Sequence, residues 1–203
     1  MKKSKKELTE LLIRECYHYP PDLKLMQKLV DEGADVNYIV EGRADSILSD
    51  IFFYYLSEIC GEGVIAYDGV SLVELCDLMC SGKTVNKRDS RYLPDVIKFF
   101  FDNGFDMNKK LKSEGEYKTY ANNLFDTFKY IVSGEPSMMA LNIILSNVSK
   151  PEQLYNSEGR PIVEELLFDA DFELNYYGLK YYSDDLIKAA KRIEAFIIEK
   201  EWK

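Results

Sequence analysis

A short motif that recurs at near-constant spacing constrains the fold more than any other feature of this 203-residue sequence. The motif follows an apolar segment and ends with an acid, an apolar residue and an asparagine. It occurs three times, at Asp31–Asn37, Asp102–Asn108 and Asp169–Asn175. The three asparagines are 71 and 67 residues apart. Internal repetition on this scale is typical of arrays built from similar units, so we expect one continuous repeat array.

The first two copies follow a helix that ends at a glycine. Apolar side chains recur at helical spacing before each copy, and Gly33 and Gly104 come directly after the last turn. A glycine there adopts a left-handed backbone conformation without a Cβ clash, which ends the helix and redirects the chain. We therefore expect a positive φ at both glycines. Asp171 occupies the glycine position of the third copy, where the same helix exit is predicted from a less favourable residue.

Prolines and apolar periodicity place the other helices. Proline suits the first turn of a helix, and Pro94 and Pro161 each stand near the start of an apolar-periodic stretch. Strand signals are confined to the short stretch 63–67. The fold class is therefore predicted to be all-α. The predicted helices cover 5–17, 22–32, 46–59, 70–81, 93–103, 121–132, 136–147, 161–169 and 183–201.

The length favours a single domain over residues 1–203. Polar, glycine-containing sequence near 61–92 and 109–120 predicts insertions into the repeats. A chain of this size buries roughly 70% of its unfolded surface, so its fold requires neither a metal nor a disulfide. Four cysteines are too few for a secreted protein that disulfides hold together, which favours reduced thiols in the cytoplasm.

The charge excludes several classes of partner. A net charge of −9 argues against nucleic-acid binding, which needs a basic surface. No apolar run approaches the roughly 20 residues of a membrane helix, and the lysine-rich start leads into charged residues instead of a signal-peptide core. The acidity is concentrated at the end, because 151–203 holds 12 acids and 7 bases.

Motifs with catalytic or ligand-binding chemistry have little support. Ser81–Thr84 is similar to the end of a phosphate-binding loop, but that loop needs a glycine where Asp77 stands. Cys76 and Cys80 share a helix face, yet two more zinc ligands are missing, so buried thiols are the better interpretation. His18 is the only histidine and has no recognisable nucleophile motif to serve. We predict no enzyme activity, no cofactor and no metal.

Two pairs of adjacent acids do not form a general acid/base pair either. Adjacent helical residues point about 100° apart, so neither Glu164 with Glu165 nor Asp184 with Asp185 converges on one substrate atom. A solvated helix face explains the first pair. The second pair is expected at the start of the final helix, where the helix dipole favours negative charge.

Three segments resemble the ankyrin-repeat family. Leu25–Asn37 is similar to the second helix of an ankyrin repeat and its Gly-Ala-Asp-Val-Asn finger, and Val96–Asn108 resembles it more loosely. Asn156–Ile162 resembles the end of a finger and the start of a first helix, with Arg160-Pro161-Ile162 in place of the usual Thr-Pro-Leu. The resemblance implies a helical-repeat solenoid with irregular insertions, whose first helices and fingers form a concave, protein-binding face.

Function is therefore predicted to be protein binding. Acids would steer a basic partner, and tyrosines would provide contact area with a polar tip, although tyrosines also cap cores. The sharper hypothesis is an immunity or inhibitor protein that masks a basic toxin; an enzyme with an unrecognised site and a structural scaffold are the alternatives. The oligomeric state is left open. The predicted partner-binding residues are Glu158, Glu164, Glu165, Asp169, Tyr176, Tyr177, Tyr181 and Tyr182.

Overall fold

A computed structural model describes residues 3–18, 20–39, 46–49, 51, 90–111, 119–129, 132 and 134–202. Its β-type contacts in these ranges are isolated bridges, which confirms the all-α prediction. The helices are α1 (Lys5–Cys16), α2 (Leu23–Asp31), α3 (Leu93–Asp102), α4 (Tyr120–Phe128), α5 (Gly134–Ser146), α6 (Ile162–Phe172) and α7 (Lys180–Glu199). Short 3₁₀ turns occupy Ser90–Tyr92 and Pro151–Leu154, and a π-helical turn occupies Glu173–Tyr177.

Several sequence predictions lie outside the described residues. They are the strand candidate at 63–67, the Ser81–Thr84 motif, the helix at 70–81, and the thiols of Cys60, Cys76 and Cys80. Cys16 is described, and it is buried at the end of α1 as a free thiol. Burial raises the pKa of that thiol far above its ordinary value.

Local sequence explains how the helices begin. The Ser4 hydroxyl accepts from the Glu7 amide while the Glu7 carboxylate accepts from the Ser4 amide, a reciprocal cap at the start of α1. The Asp22 carboxylate caps α2 by accepting from two amides of its first turn. Thr119 caps α4 in the same way as Ser4 caps α1, with Asn122 as its partner. Pro94 stands in the first turn of α3, as predicted.

Helices α2 and α3 each end at the glycine that the first two copies of the motif predicted. Gly33 has a φ of 115° after α2, and Gly104 has a φ of 85° after α3. Both predicted helix exits are therefore confirmed.

The described helices pack around one hydrophobic core. Helix α1 packs on α2, α3 packs on α5, α5 packs on α7, and α6 packs most extensively on α7. The α4 helix contacts the 3₁₀ turn at Pro151–Leu154. The largest fully buried side chains are Tyr120, Phe100, Phe125, Phe128, Leu12, Met26, Ile47, Leu48, Ile51, Leu93 and Ile97.

Hydrogen bonds join the loop after α2 to the loop after α3. The Asn37 side chain donates to the Gly104 carbonyl at 2.8 Å and accepts from the Asp106 amide at 2.7 Å. The Asn37 carbonyl accepts from the Tyr120 hydroxyl at 2.7 Å and also from the Lys109 ammonium. The asparagine that identifies the motif in the sequence therefore connects one copy to the next.

Three antiparallel bridges each close immediately before helical residues. In the last of them, the Asn156 carboxamide oxygen accepts from the amides of Glu158 and Arg160 across a turn in which Gly159 has a φ of 79°. This turn, which the sequence analysis identified as a finger end, leads directly into α6. The bridges are Ile39–Ser46, Lys110–Thr119 and Tyr155–Pro161.

The predicted third helix exit is wrong. Asp169 and Asp171 lie inside α6, and Asn175 lies in the π turn that continues it. The helix does not end at Asp171 because a residue with a Cβ has no advantage in the left-handed conformation. It ends instead at Gly178, whose φ is 68°. The third loop of the series is therefore the Asn156 turn.

The position of the Asp184-Asp185 pair is also different from the prediction. Helix α7 begins at Lys180, so both acids lie beyond its first turn. The Asp185 carboxylate accepts from the Gly134 amide at 2.9 Å and pairs with the Lys188 ammonium at 2.8 Å. It therefore satisfies the N-terminus of α5, which begins two residues before the predicted position, instead of the N-terminus of its own helix.

Candidate functional site

Three of the predicted partner-binding acids, Glu158, Glu165 and Asp169, belong to one ion-pair cluster whose inner part is buried. The Lys129 ammonium, just after α4, lies 2.8 Å from the Glu165 carboxylate and 3.1 Å from the Asp169 carboxylate. The other oxygen of Glu165 lies 3.2 Å from the Arg160 guanidinium, which also pairs with Glu158 at 2.7 Å. The side chains of Lys129 and Glu165 are only 15% and 9% exposed. These contacts connect α4 to α6 and the turn before it.

The cluster changes the charge that the last quarter of the chain presents to solvent. In the sequence, the acids of 152–173 have only Arg160 as a local base, but folding brings Lys129 beside two of them. Burial raises the pKa of Asp169, and the contact with Lys129 opposes that shift only in part. Glu165 and Asp169 therefore face Lys129 on the inner side of α6 and contribute little negative charge to its outer face.

The four predicted tyrosines separate into two kinds. Tyr182 is half-buried, and its hydroxyl donates to the Lys129 carbonyl at 2.8 Å, so it connects α7 to the end of α4. Tyr177 is partly buried in the π turn. Tyr176 and Tyr181 are 75% and 89% exposed. Large exposed aromatic side chains are typical of surfaces that bind a protein.

Two phenylalanines that the sequence analysis did not single out extend this surface. Phe168 is 67% exposed and Phe172 is 41% exposed on the outer side of α6. The Phe172 ring stacks on the Tyr176 ring, with centroids 5.2 Å apart and planes 12° apart, and it meets the Tyr177 ring edge-on at 5.6 Å. We refer to Phe168, Phe172, Tyr176 and Tyr177 as the aromatic face.

The π turn explains why three of these rings meet. In an α-helix, residues 172 and 177 would point about 140° apart, because each residue rotates the direction by about 100°. A π turn forms i→i+5 hydrogen bonds and brings the residue five positions later back over the first. Phe172 therefore contacts Tyr176 and Tyr177 together, and Tyr176 and Tyr177 lie 5.5 Å apart. The α-helical periodicity of the sequence does not predict this π turn.

Carboxylates lie on the same outer face of α6. Phe168 is four residues after Glu164, and Asp171 is seven residues after it, so all three point within about 60° of one another. Both acids are exposed, and Asp171 accepts from the Asn175 side chain at 2.8 Å. The stretch 161–179 contains five acids and no lysine or arginine.

Of the histidine, cysteine and phosphate-loop candidates considered in the sequence, His18 lies within the described residues. The His18 ring is 69% exposed and contacts the Glu15 carboxylate at 3.1 Å. Glu15 in turn accepts from the Asp22 amide at 2.9 Å, which stabilises the turn between α1 and α2. Among the residues that the structure describes, no three His, Cys, Asp or Glu side chains are placed to hold a metal ion. Over the same ranges, no helix combines the length and apolar character needed to cross a membrane.

Comparison with known proteins adds no assignment. No family model matches the chain, and neither the curated proteins nor the solved structures include a significant match.

Proposed function

We propose that this chain is a non-enzymatic, ankyrin-like helical-repeat protein that binds a protein partner through the aromatic face. The observation that carries the proposal is the mutually contacting ring cluster of Phe172, Tyr176 and Tyr177 at the end of α6, in which Phe172 is 41% exposed and Tyr176 75% exposed. Isolated exposed apolar residues are common on protein surfaces, whereas a contiguous aromatic group marks an interaction site.

The repeat assignment has independent support. Helices α3, α5 and α7 pack in a row, and the Asn37 side chain bonds the loop after α3. The Asn156 turn then provides a third loop that leads into a helix. In an ankyrin-like array, α6 is the first helix of the last pair, so its outer side belongs to the concave face that such proteins use for binding.

The sharper form of the proposal is an immunity or inhibitor protein that acts in the reducing cytoplasm by masking a basic partner. A small acidic chain with exposed aromatic anchors fits this role, because carboxylates accelerate the encounter and buried rings provide affinity. The buried, free Cys16 thiol is compatible with a reducing compartment.

The test is affinity capture from the native host, followed by binding measurements with the purified partner. Phe168→Ser combined with Tyr176→Ser removes two exposed rings of the aromatic face. The matched control is Met139→Ser combined with Ile198→Ser, because those side chains are 51% and 75% exposed on α5 and α7. We expect the first variant to lose the partner and the control to retain it. Equal retention by both variants would contradict the proposal.

A further inference from the structure

The chemistry of the aromatic face indicates which kind of side chain it binds. The Phe172 and Tyr176 rings form a stacked pair at the end of α6, and Tyr176 is 75% exposed. Aromatic ring faces carry negative electrostatic potential and attract cations that lie over them. Exposed rings of this kind bind either apolar side chains or cationic ones, and the surrounding charge decides between the two.

The charged side chains that α6 contributes beside these rings are acidic. Glu164 and Asp171 lie on the same outer side of α6 as Phe168, and both are exposed. Lys129 and Arg160 pair with the inner acids of α6 instead. Because 161–179 contains no lysine or arginine, α6 and the π turn themselves contribute carboxylates and rings but no cation, and the next cation along the chain is the exposed Lys180 at the start of α7.

We infer that the aromatic face recognises an arginine-bearing segment of its protein partner, with guanidinium groups placed over the rings and paired with Glu164 and Asp171. A guanidinium is planar and weakly hydrated, so it stacks on a ring while donating two hydrogen bonds to a carboxylate. An ammonium forms only the point-charge part of this interaction. This inference rests on the proposed function, because it names the chemistry of the partner for the same surface.

The experiment uses the full chain and defined peptides. One labelled, amidated 12-residue peptide carries arginine at every third or fourth position among alanines. A second carries citrulline at those positions, which keeps the planar shape and removes the charge, and a third carries lysine. Fluorescence anisotropy at low and moderate salt measures the three affinities. We expect the arginine peptide to bind about tenfold more tightly than the citrulline peptide, and the lysine peptide to be intermediate.

Two double variants test whether the preference for arginine depends on Glu164 and Asp171. Glu164→Gln with Asp171→Asn removes two charges from the outer side of α6. Glu10→Gln with Glu135→Gln removes two charges from exposed acids of α1 and α5, and is the control of equal net charge. The preference for arginine over citrulline should disappear in the first variant and persist in the second. Near-ultraviolet circular dichroism and the melting temperature establish that both variants are folded.

Several results would overturn the inference. Equal affinity for the arginine and citrulline peptides would mean that the rings bind by apolar burial alone. An equal loss in both double variants would mean that overall acidity attracts the peptide without a specific site. Absence of binding by any peptide would also reject arginine recognition. In each case the proposed function survives if partner capture still depends on Phe168 and Tyr176, and it fails if capture is independent of them.

Discussion

Replacing Asn37 with alanine tests the contact that joins successive loops. Its side chain makes two bonds to the loop after α3, to the Gly104 carbonyl and from the Asp106 amide, at 2.8 and 2.7 Å. The bonds from Tyr120 and Lys109 reach the Asn37 backbone carbonyl and survive the substitution. At about 1 kcal/mol net for each bond, the free energy of unfolding should fall by about 2 kcal/mol. For a domain of this size, the melting temperature should then fall by roughly 4–8 °C.

Asn108→Ala is the matched control, because Asn108 occupies the same position in the second copy of the motif. Within the described part of the chain, its carboxamide oxygen accepts a longer bond, at 3.3 Å, from the Gln153 side chain. We expect Asn108→Ala to lower the free energy of unfolding by less than about 1 kcal/mol. Urea denaturation of both variants gives the comparison. Equal destabilisation, or no change for Asn37→Ala, would refute the idea that Asn37 connects the two loops.

Three further predictions concern stability. Gly33→Val and Gly104→Val should each cost about 1–2 kcal/mol or more, because valine is strained at a positive φ; unchanged urea midpoints would contradict this. Burial alone would raise the pKa of Asp35, but hydrogen bonds from Lys5 and a backbone amide lower it below 3.8. Wild type should therefore exceed Asp35→Asn in stability at pH 6, and the difference should shrink as the pH falls below about 4, where the carboxylate of the unfolded chain becomes protonated; a difference that does not shrink would refute this. Lys129→Met should cost about 2–4 kcal/mol in urea denaturation, against under 1 kcal/mol for the exposed Lys98→Met, and equal costs would argue against a buried cluster.

The sequence predicted the features that depend on local backbone chemistry. Amphipathic spacing located most of the described helices to within a few residues, and glycine after a helix predicted the positive φ of Gly33 and Gly104. The same motif was misleading in its third copy, because Asp171 lacks the conformational freedom of glycine and α6 continues past it. The acid, apolar residue and asparagine of that copy, Glu173 to Asn175, lie in the π turn instead of in a loop after a helix.

The candidate site was only partly predictable, because it depends on which side chains folding brings together. The acidity of the last quarter was visible, but the pairing of Glu165 and Asp169 with Lys129 joins residues 36 and 40 positions apart in the chain. Phe168 and Phe172 were not among the predicted partner-binding residues. The signal that identifies them is their four-residue spacing on the side of α6 that also carries Glu164, opposite to the buried Ile162 and Leu166.

Hydroxyl-radical footprinting of the chain, alone and bound to its purified partner, tests the location of the binding surface most directly. The oxidation rate of an aromatic side chain follows its exposure to solvent, so Phe168, Tyr176 and Tyr181 should be oxidised readily in the free chain. We predict that the partner suppresses oxidation of these three residues and leaves Met139 and Ile198 unchanged. Protection of Met139 or Ile198, with Phe168 and Tyr176 still oxidised at their free rate, would contradict the account.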